Sequence, residues 1–248
     1  MITLGLDVGG SGIKGALVDT QNGTLTSERL RVATPPSMEP DEVIAAVSEL
    51  VAQFGAQDGP VGVGFPAVVQ QGVVRTPFAA HQVESWVGVA VAARIADVVG
   101  RPTVVLNDAD AAGTAEMRFG SGRGVDGSVM VLTLGTGIGS ALFVDGKLVP
   151  NTELGHLFLR NRPRVAEYYA ASRARKRDGL KWEQYAARLN EYLLHLERLF
   201  SPRLFIIGGG VSKKGEKYLP HLSVRAEVVV AGLRNDAGII GAAVAALG

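Results

Sequence analysis

Residues 6–25, LDVGGSGIKGALVDTQNGTL, contain a literal G-x-G-x-x-G at Gly10, Gly12 and Gly15, a pattern usually read as a dinucleotide-binding turn. That reading requires a strand before the glycines, a helix opening at the last of them, and an acidic residue about 20 positions on. Only the strand is present. After Gly15 the chain runs Ala16-Leu17-Val18-Asp19, then Asn22-Gly23, then Thr24 to Val32 with apolar Leu30 and Val32, which reads as a hairpin turn and a further strand. The glycines therefore join strand to strand. Asp7, just ahead of the Gly9-Gly10 pair, would also repel a pyrophosphate unless a divalent cation stood between them. The stretch thus predicts a phosphate-grasping hairpin with a metal-associated aspartate.

Around this hairpin lies a chain of 248 residues, 47% hydrophobic and 20% charged, which suits one large domain or two modest lobes. No stretch approaches the roughly 20 apolar residues of a membrane span, and the N-terminus enters a strand without a basic segment or cleavage site. A cytoplasmic protein with no membrane partner is the expectation. With no cysteine and four scattered histidines, disulfides, thiolate metal sites and zinc spacings are absent. The net charge of +1 points to no partner class, but its distribution is uneven. Arg160, Arg162, Arg164, Arg173, Arg175, Lys176, Arg177 and Lys181 face only Glu167 and Asp178 within one segment. Such a tract is either a solvated helix face or a surface for a polyanion.

Periodicity predicts strands at 2–7, 15–19 and 25–32, a helix at 40–55, a strand at 61–65, a hairpin at 68–75 around Gln71-Gly72, a helix at 87–99 and a strand at 103–106. The second half repeats the theme: a helix at 109–119, strands at 128–134, 140–144 and 147–149, helices near 165–172 and 181–200, strands at 203–207 and 227–230, and a closing helix at 237–247. The class is mixed α/β. GIKGALVDTQNGTL at Gly12 and GIGSALFVDGKL at Gly137 share glycine, isoleucine, a small pair, Ala-Leu, Val-Asp and a turn glycine. Either two lobes have related construction or two hairpins use the same turn chemistry. The expected division is 1–111, completed by 235–248, against 112–234.

Several stretches could carry chemistry. In TVVLNDADAAG (103–113) a short strand ends at Asn107-Asp108 and turns into a helix, at the sheet edge where α/β proteins bind ligands. Asp108 is either the cap of that helix or a general base for a substrate hydroxyl attacking a phosphoryl group. In LTLGTGIGSAL (132–142), backbone N–H groups at Gly135, Gly137 and Gly139 with the Thr136 hydroxyl could converge on an anion, or simply form a tight hairpin. Gly9, Gly10, Ser11, Gly12 and Lys14 offer the same apparatus. Glu153 and His156 stand three apart in NTELGHLFL (151–159), a donor and acceptor set suited to adjacent sugar hydroxyls. LFIIGGGVSKK (204–214) runs a strand into Gly208, Gly209 and Gly210, where backbone can approach a nucleotide closely or a βα turn can pack tightly.

The ordered set LDVGGSGIKG, GFPAVV, LNDADAAG, LTLGTGIGSAL, ELGH and IIGGGVSKK closely resembles the sugar kinases of the ROK family, over nearly the whole chain from Leu4 to Ala243. The run from LNDADAAG to ELGHL is most similar to the polyphosphate-using glucose kinases of that family. The resemblance implies the two-lobed actin-like (hexokinase, ribonuclease H-like) α/β fold with a central cleft, and phosphoryl transfer from inorganic polyphosphate or ATP to the 6-hydroxyl of glucose. It implies Asp108 as base, and Asn107, Glu153, His156, Gly64 and Pro66 around the sugar. Gly9, Gly10, Ser11, Gly12, Lys14, Gly135, Thr136 and Gly137 would hold phosphates and Gly208–Gly210 a nucleotide, with Mg²⁺ oriented by Asp7 through water. A homodimer is expected. A regulator reading is disfavoured, because such relatives carry an added DNA-binding element for which there is no room before residue 9; no nucleic-acid partner is expected.

Three departures stand out. The cysteine-rich zinc segment that many members carry after E-x-G-H is missing here, as it is in the polyphosphate-using members. Phe158 replaces the glutamate that the subgroup usually has in G-H-L-E. The loop Ala80-His81-Gln82-Val83-Glu84-Ser85-Trp86 lacks the usual Asn and Asp-Lys before Ser-Trp.

Overall fold

A computed structural model describes residues 1–56, 58–78 and 82–248; Ala80 and His81 of the departing loop lie outside the described residues. The chain divides into two compact units, Met1–Ala115 with Asp236–Gly248, and Glu116–Asn235.

In the first unit, β1 (Ile2–Gly9) and β2 (Gly12–Asp19) pair antiparallel with Gly9 opposite Gly12, so the glycine motif is a tight strand-to-strand turn. The short strands β3 (Thr24–Leu25) and β4 (Leu30–Val32) both pair with β2. Helix α1 (Pro40–Ala52), β5 (Val61–Phe65), the small hairpin β6 (Val69–Gln70) and β7 (Val73–Val74), α2 (Val91–Val99) and β8 (Thr103–Asn107) follow, then α3 (Asp108–Phe119). The sheet order is β3-β2-β1-β5-β8, with β1, β5 and β8 parallel. Leu4, Leu6 and Val8 on β1 and Val61 and Val63 on β5 are fully buried, each such side chain contributing about 1.5–3 kcal/mol. The closing helix, Ala237–Ala245, lies so close to the sheet that a Cβ on Gly62 would sit 1.8 Å from the Ala242 carbonyl oxygen. Only glycine allows that approach.

In the second unit, β9 (Ser128–Leu134), β10 (Ile138–Val144) and β11 (Lys147–Val149) form an antiparallel meander. After α4 (Ala166–Ala170), α5 (Ser172–Arg177) and α6 (Trp182–Phe200) come β12 (Leu204–Gly209) and β13 (Glu227–Val230), and α7 is the closing helix. The order β11-β10-β9-β12-β13 reproduces that of the first sheet: an antiparallel meander, then parallel neighbours on the far side of its first strand. The echo at Gly12 and Gly137 is therefore a shared construction, with β2 and β10 as equivalent second strands. Tyr185, Leu189, Tyr192, Leu193 and Leu196 of α6 pack with Met130, Leu132, Phe205 and Ile207 of the sheet.

Local differences from the pattern-based elements have identifiable causes. The strand expected at 25–32 is split because Leu17 N–H donates to Ser27 Oγ at 2.9 Å, replacing a ladder bond with a side chain. Helix α2 opens at Val91 rather than Val87 because Gly88 and Val89 exchange backbone bonds of 2.9 Å with Val74. The helix expected at 165–172 stops at Ala171, whose extended backbone (φ −64°, ψ 160°) breaks it before α5 begins.

Candidate active site

In the first unit, register brings the candidate residues to one sheet edge. Asp7 on β1 stands opposite Gly64 on β5, and Gly64 opposite Leu106 on β8, so Asp7, Gly64 and Asn107 all lie at the carboxyl ends of parallel strands. Asn107 is buried, and its Oδ1 accepts the N–H groups of Ala109 (2.9 Å) and Asp110 (3.2 Å), while its Nδ2 donates to Ala67 O (3.2 Å). Asn107 is thus the cap of α3. Asp108 is half-buried and shares the Ala109 N–H, at 2.8 Å. A Cβ on Gly64 would lie 3.6 Å from Asp108 Cα, so β5 supports the aspartate from below. Pro66 is buried beside Phe65, whose ring packs on Trp86 with centroids 4.7 Å apart. Trp86 in turn donates from Nε1 to Met38 O at 2.7 Å.

The glycine hairpin carries a charge pair and an arginine that sequence reasoning missed. Lys14 Nζ lies 3.6 Å from Asp7 Oδ2, as cross-strand partners in register. Burial pushes the Asp7 carboxyl above its ordinary value, against the opposing pull of Lys14. Arg31, opposite Lys14 on β4, donates to Ser11 O and lays its guanidinium under Gly12. Thr34 Oγ1 donates to Gly9 O. The turn Gly9, Gly10, Ser11, Gly12 is braced from outside, with a cation beneath it.

The second unit gathers the other set. Ser140, buried on β10, donates to Thr152 O at 2.6 Å and accepts Leu154 N–H at 3.0 Å, pinning the segment that holds Glu153. A Cβ on Gly155 would lie 2.4 Å from Ile138 O, so the glycine of ELGH is dictated by this contact. His156 stands between two carboxylates, with Nδ1 3.7 Å from Glu153 and Nε2 3.7 Å from Glu167. Glu167 also accepts Ile138 N–H at 3.2 Å. Burial raises the Glu153 carboxyl; His156 pulls it down and Glu167 pushes it up. Glu167 was not singled out from the sequence, where it was only one of two acids in a basic tract.

The β9–β10 loop has a narrower anion-binding capacity than its glycines suggested. Gly135 N–H donates to Gly137 O at 3.0 Å, Ile138 N–H serves Glu167, and Gly139 sits in the ladder opposite Thr133. Thr136 is exposed at the tip. Gly208 and Gly209 pair with Thr133 and Leu134, which places the β12 glycines beside this loop on one sheet edge, and a Cβ on Gly210 would meet nothing within 4 Å.

The basic tract is largely ordered by aromatic rings. Arg175 lies 4.1 Å from the Trp182 ring centre and donates to Leu180 O at 3.0 Å; Arg162 and Arg188 flank Tyr169, and Arg164 and Arg177 flank Tyr168. Arg177 and Arg188 share Asp178, whose carboxyl they hold well below the usual range. The tract is therefore neither a uniform solvated face nor a uniform row of free cations.

Among the described residues, no group of three or more His, Asp or Glu could hold a metal ion by side chains alone, and no helix is long and apolar enough to cross a membrane. Asp7 fits a Mg²⁺ that keeps most of its water and takes its other ligands from phosphate: it is a carboxylate at the glycine turn whose only ion-pair partner among the described residues is Lys14.

Comparison with known proteins places the chain among sugar kinases. The chain is 45% identical over 244 residues to a polyphosphate glucokinase of Mycobacterium tuberculosis (strain CDC 1551 / Oshkosh), covering 98% of this chain and 90% of the relative. It superposes on the crystal structure of an inorganic polyphosphate/ATP-glucomannokinase from Arthrobacter sp. strain KM with a TM-score of 0.92 and 50% identity, over 99% and 98% of the two chains. A ROK family glucokinase from Streptomyces griseus, in complex with glucose and AMPPNP, superposes with a TM-score of 0.82 at 28% identity, over 98% of each chain. The two sheets and their flanking helices are those of the actin-like sugar kinases. Residues 3–167, from the first glycine hairpin through Glu167, match the ROK family pattern, and with this match and the full-length identity to the mycobacterial relative, the chain belongs to the ROK family.

Proposed function

We propose that this protein is a polyphosphate-dependent glucokinase, transferring the terminal phosphoryl group of inorganic polyphosphate to the 6-hydroxyl of glucose. Asp108 takes the hydroxyl proton as the oxygen attacks phosphorus; the new O–P bond forms as the anhydride bond breaks, leaving glucose 6-phosphate and a chain one phosphate shorter. Glu153 and His156, joined by Glu167, hold the hydroxyls of the sugar, and the remaining Asn107 amide hydrogen adds a donor. Gly9, Gly10, Ser11, Gly12, Lys14, Gly135, Thr136 and Gly137 position the donor phosphates. Mg²⁺, held by Asp7 through water, would neutralise charge on those phosphates. The protein's own contribution is positioning and proton removal.

The observation that carries this reading is the placement of Asp108 directly after the end of β8, at the carboxyl ends of the parallel strands that also carry Asp7 and Gly64. The similarity to the mycobacterial and Arthrobacter proteins supports polyphosphate as donor. The open space at Gly210 favours ATP as a second donor, since a nucleotide can approach the backbone there. Mannose is a second candidate sugar, the Arthrobacter relative being a glucomannokinase. The protein acts in the cytoplasm, as a homodimer. Incubation with glucose, Mg²⁺ and either polyphosphate or ATP, with glucose 6-phosphate measured, tests the reading; formation from ATP alone would replace it with an ATP-dependent hexose kinase.

A further inference from the structure

Beside Thr136 the second unit contains a cavity of about 470 Å³, lined by Phe158, Arg164, Tyr168, Arg173 and Arg177 among others. Its charge is not balanced locally. Among the described residues Arg164 and Arg173 have no carboxylate within ion-pair distance, and only Arg177 has one, Asp178. The one acid lining the cavity, Glu167, accepts Ile138 N–H and faces His156. Guanidinium groups carry their charge at any working pH and match phosphate oxygens in a two-point fork.

Two further features make this a shaped site rather than a scatter of surface charge. Arg164 and Arg177 lie 4.1 and 3.8 Å from the centre of the same Tyr168 ring, which restrains two long side chains and reduces the entropy lost when they bind. Arg173 N–H donates to Gly135 O at 3.0 Å, fixing the start of α5 to the glycine loop. Thr136, at the tip of that loop, is itself part of the lining. The volume is within the range of small-molecule sites, about 300–1,000 Å³, and a water molecule takes about 30 Å³ of liquid, so there is room for several phosphate groups.

We propose that this cavity is a subsite for an oligophosphate chain, holding the units of inorganic polyphosphate that extend beyond those gripped by the glycine loop. The proposal rests on the phosphotransferase reading above and adds to it where the distal donor runs: past Thr136 and between Arg164, Arg173 and Arg177. Arg175 and Lys176 are not part of it. The Tyr168 ring is already occupied by guanidinium groups, so the cavity offers charge more than a stacking surface for a base. ATP, which ends in a nucleoside, gains nothing from this subsite.

The test is the double variant Arg164→Gln/Arg173→Gln, both positions being exposed and so replaceable without disturbing the core. Loss of two charge-assisted contacts is expected to raise the KM for long-chain polyphosphate by roughly tenfold or more. Turnover at saturation and the KM for ATP should stay within about twofold, because the contacts are made equally before and during transfer. Tripolyphosphate should be nearly insensitive, and the Arg164→Lys/Arg173→Lys variant should recover part of the loss. Calorimetric titration of the unliganded protein with medium-chain polyphosphate should show the same weakening, and a shallower dependence on salt. An unchanged KM for polyphosphate, or equal losses with both donors, would overturn the subsite while leaving the kinase reading intact. A loss confined to ATP would mean that the cavity takes a base, against the exposed Phe158. If the wild-type protein phosphorylates glucose with neither donor, the functional reading fails, and the titration alone decides whether the cavity binds polyphosphate.

Discussion

Asn107 Oδ1 accepts the backbone N–H of Asp110 at 3.2 Å, so the residue that caps α3 directly precedes the candidate base. The capping that the sequence allowed for Asp108 falls chiefly to Asn107, with Asp108 sharing the Ala109 N–H. Asn107 secures the helix, and Asp108 is held at its first turn.

This division gives opposite signatures to two substitutions. Asp108→Asn should reduce turnover by at least about 10²-fold, the usual scale for a general base, with a thermal midpoint close to that of the wild type. Asn107→Ala should lose about 0.5–2 kcal/mol of stability, as an Asn cap does when truncated. Steady-state kinetics and thermal unfolding of both proteins check the pair. Near-normal turnover in Asp108→Asn would end its assignment as base.

Glu153, His156 and Glu167 should behave as one sugar-binding group. Glu153→Gln, His156→Ala and Glu167→Gln should each raise the KM for glucose more than the KM for the donor. A carboxyl raised by burial stays protonated to higher pH than an ordinary glutamate and then accepts hydrogen bonds less well. The glucose KM should therefore increase as pH falls through a midpoint above the ordinary glutamate value of about 4.3. Glu153→Gln should flatten that acid limb. A limb unchanged in the variant would assign it to another group.

Glu116 is buried, and its carboxylate accepts N–H bonds from Ser121 (2.9 Å), Gly232 (3.0 Å) and Leu233 (2.8 Å). It ties together the two stretches by which the chain enters and leaves the second unit. Glu116→Ala removes a buried carboxylate that accepts three N–H bonds from partly exposed backbone, and with hydrogen bonds to a charged group contributing about 1.5–3 kcal/mol, chemical denaturation should show a loss of at least about 2 kcal/mol. A change within error would show that water replaces the carboxylate.

Arg175 separates structural from ligand-binding roles within the basic tract. Its guanidinium stacks on Trp182 and bonds Leu180 O, so Arg175→Gln should lower stability by about 1 kcal/mol and leave the KM for polyphosphate near the wild-type value. A selective effect on polyphosphate would return it to the donor path.

The strands, the hairpins and the doubled construction were legible because they rest on local signals: alternation along β1 and β9, and turn pairs at Asn22-Gly23 and Asp145-Gly146, where Gly23, Asp145 and Gly146 adopt positive φ. The order of motifs singled out Asp108, Glu153 and His156 as candidates. What remained hidden depended on contacts distant in sequence. Glu167 reaches Ile138 across 29 residues, and Arg31 reaches Ser11 across 20. No periodicity announces either. The basic tract stayed ambiguous for the same reason: which arginines are engaged depends on where Tyr168, Tyr169 and Trp182 lie, and composition counts charges without their neighbours.

The close seating of α7 on Gly62 has a consequence for how the chain folds during synthesis. The second unit is one continuous stretch, Glu116–Asn235, whereas the first needs Asp236–Gly248 to complete it. Until Ala237–Ala245 have left the ribosome, the face of β1 and β5 that they cover stays open, and the pairing of residue 62 with 242 closes a very long loop. The later-encoded unit can therefore fold first. A released chain ending at residue 235 should resist protease in the Glu116–Asn235 region while its N-terminal sheet is cleaved.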